Sequence, residues 1–465
     1  MWSKSSCLLI PEIISNQKAF FKAQKTKDVS FRISLLKALK QEIISREQDI
    51  FEALHKDFKK SSFEAFLSEN GLVIAEINLA IKNLKRWSKP ERVKSSILLF
   101  PSKDYIYKAP YGTVLIIGPW NYPFQLAINP LIMAIAAGNT VVLKPSELTP
   151  NTSQLVADIV KNIFPKEMAT VIQGGVDVST KLLKQHWDYI FFTGSVSVGK
   201  IIAQAAAENL TPITLELGGK SPCIIDDTTD LKLTAKRLVW GKFFNGGQTC
   251  IAPDYLIVKV SIKNKLIELL KHEIIKTYGN ASNSKDYPRV INHKNFMRLT
   301  HLINDVNIAF GGDYNEDELY ISPTLIDEPS LESDVMKDEM FGPILPILSY
   351  ENEDDIASII WHFERPLSLY IFSKNKRFIK NTIEKFSFGG GVVNDTLIHY
   401  GNANLPFGGI GASGIGAYHG KFGFDTFSHN KAIVKRGNWF DPPLRYAPYS
   451  KGKLKLIKTL FKWFS

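Results

Sequence analysis

The sequence predicts an α/β protein in which two parallel-sheet domains are joined by a small bridging β-hairpin. Three observations carry this. A chain of 465 residues is long for one core. Short apolar runs at 113–117, 140–143, 170–172 and 189–192 alternate with helical patterns, and each run ends in a loop containing Gly or Pro. Strands alternating with helices form parallel βαβ units, whose ligand crevice lies at the strand C-termini.

Ahead of the first run, residues 11–87 carry a helical stripe, as in Phe31, Leu35, Leu36, Leu39 and Ile43, with Lys and Glu on the other face. Residues 95–110 have the apolar alternation of a hairpin, and 431–436 look like a further strand. Pairing of these remote segments would make a small sheet used for oligomerisation. A second α/β series begins near Leu215, with a strand at 255–260 and a helix at 263–278. The expected division is 1–214 for the nucleotide-type domain, 215–390 for the second domain, 391–450 for a C-terminal return and oligomerisation segment, and 451–465 for a basic amphipathic tail.

Three cysteines, Cys7, Cys223 and Cys250, have no ligand-like spacing, which argues for a reducing compartment and against a disulfide framework or a zinc site. Cys223 reads as a small apolar residue opening a buried strand. The net charge of +11 has no nucleic-acid-binding motif beside it, so solvated helix faces and a basic tail explain it better than a DNA or RNA partner. Pro11 and Glu12 interrupt the short apolar run 7–10, which speaks against a signal peptide, and no apolar stretch reaches spanning length. A cytoplasmic location is the expectation.

The chemistry centres on Cys250, in Asn245-Gly246-Gly247-Gln248-Thr249-Cys250. A glycine-bracketed polar stretch gives a structural cysteine little to gain from burial, whereas a thiol there can attack a carbonyl and later leave as thiolate. Glu216 stands between Leu215 and Leu217, where desolvation would raise its pKa toward that of a general base. Taken alone, the pair could be a buried cysteine and an ion-paired glutamate. Asn121, after the first strand, is placed to donate to an oxyanion, or to cap a helix. Lys144 and Glu147 follow the second strand and could hold ribose hydroxyls, or form a surface ion pair. The loop 192–200 holds Gly194, Ser195 and Gly199 and opens a helix whose free N–H groups suit a pyrophosphate, although it is not G-x-G-x-x-G.

In chain order, the segments 118–124, 144–147, 192–199, 215–222, 247–250, 339–343 and 405–409 together resemble the motifs of the aldehyde dehydrogenase superfamily. The short N-terminus, residues 247–255 and the ending 441–449 are similar to its class 3 branch, which includes fatty aldehyde dehydrogenases. The resemblance implies a Rossmann-like cofactor domain, a catalytic domain, a bridging hairpin and a homodimer. It implies that Cys250 attacks the aldehyde, that Asn121 and the Cys250 N–H hold the oxyanion, and that Glu216 activates water against the thioester, with the first deprotonation of Cys250 a second role open to Glu216. Lys144, Glu147, Gly194, Ser195, Gly199, Glu339, Phe341 and Trp120 are implied as cofactor contacts, for NAD with NADP also possible. A CoA-acylating aldehyde dehydrogenase and a non-catalytic protein on the same fold are the alternatives. Retention of Glu216 favours hydrolysis over thiolysis by CoA.

The substrate expected is a medium- or long-chain aliphatic or aromatic aldehyde, because Tyr122 and Trp240 suggest an apolar tunnel, although both could be core. His399, just before 405–409, could line the substrate entrance, but reads better as a partly exposed loop residue. The tail, wound as a helix, gathers Leu454, Leu456, Ile457, Leu460, Phe461, Trp463 and Phe464 on one half and Lys455, Lys458 and Lys462 on the other, with Lys453 intruding. That pattern suits peripheral contact with a membrane surface, or packing over the tunnel or a dimer partner.

Overall fold

The computed structural model describes residues 10–464, apart from the side chains of Leu98, Trp463 and Phe464. Cys7 and Ser465 lie outside the described residues. Four long helices, Ile10–Lys22, Val29–Ser45, Glu47–Phe58 and Gly71–Trp87, occupy the region of the helical stripe. In Val29–Ser45 the residues Leu35, Leu36, Leu39 and Ile43 are buried, and the Asp28 carboxylate caps the first turn by accepting from the Ser30 N–H at 2.8 Å.

Strands Thr113–Ile117, Thr140–Lys144, Ala169–Val171, Tyr189–Thr193 and Ile213–Glu216 lie parallel in one six-stranded sheet, whose sixth strand, Gly414–Ile415, runs antiparallel to Ile213–Glu216. Thr113–Ile117, Thr140–Lys144 and Tyr189–Thr193 are buried along their whole length. Burial on both faces is why they read as unbroken apolar runs rather than as alternation. Helix Gln125–Ala137 is likewise buried throughout and ends at Gly138, whose φ of +101° forms a left-handed cap. At about 1.5–3 kcal/mol for each buried Leu, Ile or Met, this helix ties the sheet to the N-terminal helices.

The second sheet has seven strands in the order Ile308–Phe310, Thr324–Asp327, Ile344–Tyr350, Tyr255–Lys259, Pro222–Ile225, Ser368–Phe372 and Gly390–Val393, parallel except for the first pair. Cys223 is buried within Pro222–Ile225. Both boundaries expected from the sequence fall inside strands: 214/215 within Ile213–Glu216, and 390/391 within Gly390–Val393. Membership of a sheet is decided by the neighbouring strand, which leaves no mark on local composition.

A third sheet pairs Ser102–Pro110 with Glu91–Val93 on one side and with Ser428–Arg436 on the other, both antiparallel. The remote segments therefore meet as their alternation suggests. The hairpin expected over 95–110 needs correction at its start. Its first arm is Glu91–Val93, and the apolar residues Ile97–Leu99 wind as a 3₁₀ turn. Pro101, which has no N–H for a ladder, stands just before the second arm.

The tail forms a helix, Lys451–Phe464. Lys453, the intruder on its apolar half, turns its ammonium back to the carbonyls of Tyr446 and Pro448 at 2.9 and 3.0 Å. Among the described residues no helix is long and apolar enough to cross a membrane.

Candidate active site

Helix Leu231–Phe243 is capped by Asp230 and runs toward the thiol. After Phe244, the residues Asn245, Gly246 and Gly247 take φ of 55°, 63° and 73°, three successive left-handed conformations that reverse the chain. Glycine is required at 247, since a Cβ there would lie 2.2 Å from the Gly342 carbonyl oxygen. The reversal delivers Cys250 to a cavity of about 260 Å³ lined also by Glu216, Thr193 and an apolar wall that includes Leu67, Tyr122, Trp240 and Phe407. Tyr122 and Trp240 thus stand where the tunnel reading puts them. The sulfur accepts hydrogen bonds from its own N–H and from that of Ile251. Burial, reinforced by the nearby carboxylates of Glu339 and then Glu216, holds the thiol well above its ordinary pKa.

Glu216 ends the strand Ile213–Glu216 and is buried. Neither carboxylate oxygen has a hydrogen-bond partner within the protein, and burial pushes its pKa well above the usual carboxylate range. The Thr193 hydroxyl, on the neighbouring strand, is also buried without a partner. Polar atoms left in this way at a cavity wall are placed to meet a reacting molecule or water.

Asn121 lies in the turn between Thr113–Ile117 and Gln125–Ala137. Its amide donates to the Gln248 carbonyl at 3.1 Å, and its carbonyl accepts from the Asn245 amide at 2.9 Å. Tyr122 joins the same two loops through a 2.6 Å hydroxyl contact with Thr249. Both donors that the resemblance assigns to an oxyanion, the Asn121 amide and the Cys250 N–H, are therefore engaged, although an amide nitrogen carries a second hydrogen.

On the cofactor side, Lys144 is buried and bonds Glu147 at 2.5 Å, with the Glu147 side chain 38% exposed. Ser195 is the N-cap of helix Val196–Ala207. The Gly194 N–H is taken by the Glu216 carbonyl at 3.0 Å and the Val198 N–H by the Ser195 hydroxyl at 3.5 Å, so the free donors of that loop are the N–H groups of Val196 and Ser197. Gly199 is a packing glycine, since a Cβ there would lie 2.8 Å from Leu217 Cδ2. Glu339 lies against the backbone of Gly218 and accepts from the Gly219 N–H, with its pKa raised to about 8 chiefly by burial. Phe341 adopts φ +46°, a conformation costing on the order of 1–3 kcal/mol for an L residue, and meets Trp120 edge-on at 5.2 Å.

His399 is half-buried, in keeping with the partly exposed residue expected. Its Nε2 is 3.3 Å from the Ser368 hydroxyl, and burial lowers its pKa to about 4. Sequence reasoning missed the buried support of the site. Lys60 and Glu69 pair at 2.6 Å, Glu69 accepts from the N–H groups of Phe124 and Gln125, and Lys220 and Asp254 pair at 2.6 Å beneath the segment that carries Glu339. No local pattern announces these pairs, because most of their partners are remote in sequence. Among the described residues no group of three or more His, Cys, Asp or Glu side chains is placed to hold a metal ion.

A parallel nucleotide-type sheet whose strand ends open on a cavity holding a thiol and a desolvated carboxylate is the architecture of an α/β oxidoreductase. The chain belongs to the aldehyde dehydrogenase family, whose model matches residues 9–433. It is 49% identical over 457 residues to a Staphylococcus aureus 4,4'-diaponeurosporen-aldehyde dehydrogenase, covering 98% of this chain and 99% of that one. It is 44% identical over 440 residues to aldehyde dehydrogenase family 3 member A2 of Pongo abelii, covering 93% and 90%. A substrate-bound structure of Staphylococcus aureus AldH superposes with a TM-score of 0.95 at 48% identity, covering 97% of this chain and 99% of that one. The class 3 resemblance agrees with these relatives, and the protein is an enzyme that oxidises aldehydes to carboxylic acids with NAD or NADP.

Proposed function

We propose that Cys250 is the nucleophile, Glu216 the base and Asn121 an oxyanion donor, acting on medium- and long-chain aliphatic or aromatic aldehydes. The observation that carries this reading is the pair of unpartnered Glu216 oxygens in the same cavity as the Cys250 thiol. The Cys250 thiol first gives up its proton to solvent, its sulfur forms a bond to the carbonyl carbon, and the carbonyl π electrons move to oxygen, where the spare Asn121 amide hydrogen steadies the charge. Collapse of that adduct, with loss of hydride from carbon, leaves a thioester on Cys250. Glu216 then takes a proton from water as its oxygen adds to the thioester carbon. The C–S bond breaks, the acid departs and the thiolate is restored.

Bound NAD or NADP supplies the hydride acceptor. The residues present fit such a group. The Val196 and Ser197 N–H groups that open helix Val196–Ala207 suit a pyrophosphate, Lys144 and Glu147 are proposed to hold the adenosine ribose, and Glu339 and Phe341 the nicotinamide ribose. Trp120 backs Phe341 at its edge.

An apolar wall selects by buried area. Across saturated aldehydes, kcat/KM is expected to rise by about fourfold per methylene until the cavity is filled, from about 0.8 kcal/mol per buried CH₂. A flat profile would rule out the chain-length reading.

The proposed assembly is a homodimer. Ser428–Arg436 is an edge strand exposed over nearly its whole length, and such edges in natural proteins are covered or paired. The tail is proposed to touch anionic membrane surfaces. Its helix carries five lysines and no acid, with Leu454 and Leu456 exposed. The full chain is expected to co-sediment with phosphatidylserine vesicles and to be released by salt, whereas a chain ending at Ser450 stays in solution and still oxidises short aldehydes. Equal partitioning of the two would exclude the anchor, and loss of the dimer on truncation would assign the tail to packing.

A further inference from the structure

Residues 60–71 place two acids on the inside of the protein, Glu64 and Glu69, both at least nine-tenths buried. A carboxylate held in the interior is stable as an anion only where donors or a cation meet it. Glu69 has three such partners: the Lys60 ammonium at 2.6 Å, the Phe124 N–H at 2.9 Å and the Gln125 N–H at 3.2 Å. Glu64 is held otherwise. Its two oxygens share one backbone donor, the Asn245 N–H, at 3.3 and 3.4 Å.

That donor opens the left-handed reversal 245–247 that leads to the thiol. The Asn245 amide in turn reaches the carbonyls of Asn121 and Gln248 at 2.9 and 3.2 Å. Asn245 is therefore the joint between the Asn121 turn and the Cys250 turn: the Gln248 amide donates to its carbonyl at 3.1 Å, and Glu64 is the side chain that holds its backbone N–H. Asn245, the non-glycine member of the three positive-φ residues, keeps its conformation only where its surroundings fix it, and a displacement of about an ångström between reacting groups is enough to slow attack markedly.

We propose that Glu64 is a positioning residue for the attack step, and that its ionised carboxylate holds Asn245 so that the Cys250 sulfur and the Asn121 amide keep their working separation. The proposal rests on the reading of Cys250 as nucleophile. A charged acceptor strengthens an N–H···O bond roughly twofold over a neutral one, so the joint tightens when Glu64 loses its proton. Burial raises the Glu64 pKa to about 7, with Lys60 and the Asn245 N–H pulling it down and Asp286 pushing it up. The other titratable groups that feel its charge are the phenols of Tyr122, Tyr278 and Tyr287, which burial keeps neutral across this range. Below the midpoint Glu64 is neutral and the joint is loose, and above it the joint is tight.

The test is the rate of the first-turnover NADH burst against pH, in the wild type and in Glu64→Gln, which has the same shape but no charge to gain. Cys250, Glu216 and Glu339 titrate in both proteins, so the ratio of the two burst rates reports Glu64. The ratio is expected to rise from about 1 at pH 6 to about 10 at pH 8, with NAD affinity equal within about twofold. A ratio independent of pH would overturn the proposal. Should Glu64→Gln fail to fold, Asp286→Asn removes an exposed neighbour of the carboxyl and is expected to move the wild-type burst limb to lower pH, whereas an unmoved limb would overturn the proposal equally. Cys250→Ser measured alongside separates the two readings. A burst that survives in Cys250→Ser contradicts the nucleophile, while a flat ratio with Cys250→Ser inactive removes Glu64 alone.

Discussion

Cys250→Ser is expected to lower kcat/KM for aldehyde oxidation by on the order of 10⁴-fold, with cofactor affinity unchanged within about twofold. Sulfur is suited to both halves of the proposed reaction, since it attacks as a thiolate and leaves a thioester that water can cleave. A serine hydroxyl in the same place would have to form an alkoxide in a site where burial already opposes a negative charge on sulfur. Cys223 cannot stand in for it. That thiol is buried within a central strand, and burial holds its pKa far above its ordinary value. Steady-state kinetics with a saturating cofactor check the loss, and equilibrium titration with NAD checks that the nucleotide domain is intact. Turnover within tenfold of wild type would remove Cys250 from the chemistry.

Glu216→Gln is expected to separate the two half-reactions. The attack step needs no base that hydrolyses a thioester, so a burst of about one NADH per active site should survive. The steady state that follows should fall by on the order of 10²–10³-fold. Rapid-mixing absorbance records both phases. The sign of the pH dependence follows from the same carboxyl. Burial raises its folded pKa well above the usual range, so the protonated form prevails at neutral pH and the basic form grows as pH rises. Steady-state turnover of the wild type should therefore climb with pH, and Glu216→Gln should lose that limb. If burst and steady state slow by the same factor, Glu216 serves the thiol rather than the water.

What the sequence discloses of this site follows from how locally each residue is determined. Cys250 stands out because glycines and polar residues surround it, and Glu216 because it is a lone acid between leucines. Three of the four runs become strands buried along their whole length, and they are legible because two-sided burial removes alternation. The i,i+3 spacing of Lys144 and Glu147 already allows their ion pair, and the structure forms it. Glu64 and Glu69 are not legible. Glu64 lies within the helical stripe 11–87, whose Lys and Glu read as its solvated face, and only the chain 181 residues further on reveals that Glu64 is held by Asn245. The π-helical turn Phe66–Asn70, which brings Glu69 onto Phe124 and Gln125, has no periodicity to announce it. The left-handed Phe341 is equally silent, because its conformation is imposed by packing rather than by residue type.

The most direct test of the thioester route is to mix Glu216→Gln with a long-chain aldehyde and NAD, quench in acid after the burst, digest the protein and map the adduct by mass spectrometry. The account predicts close to one acyl group per chain, its mass increasing with the aldehyde supplied, on the peptide that contains Cys250 and on no other. An unmodified Cys250 peptide after a full burst of NADH, or an acyl group carried on Cys223, would contradict it.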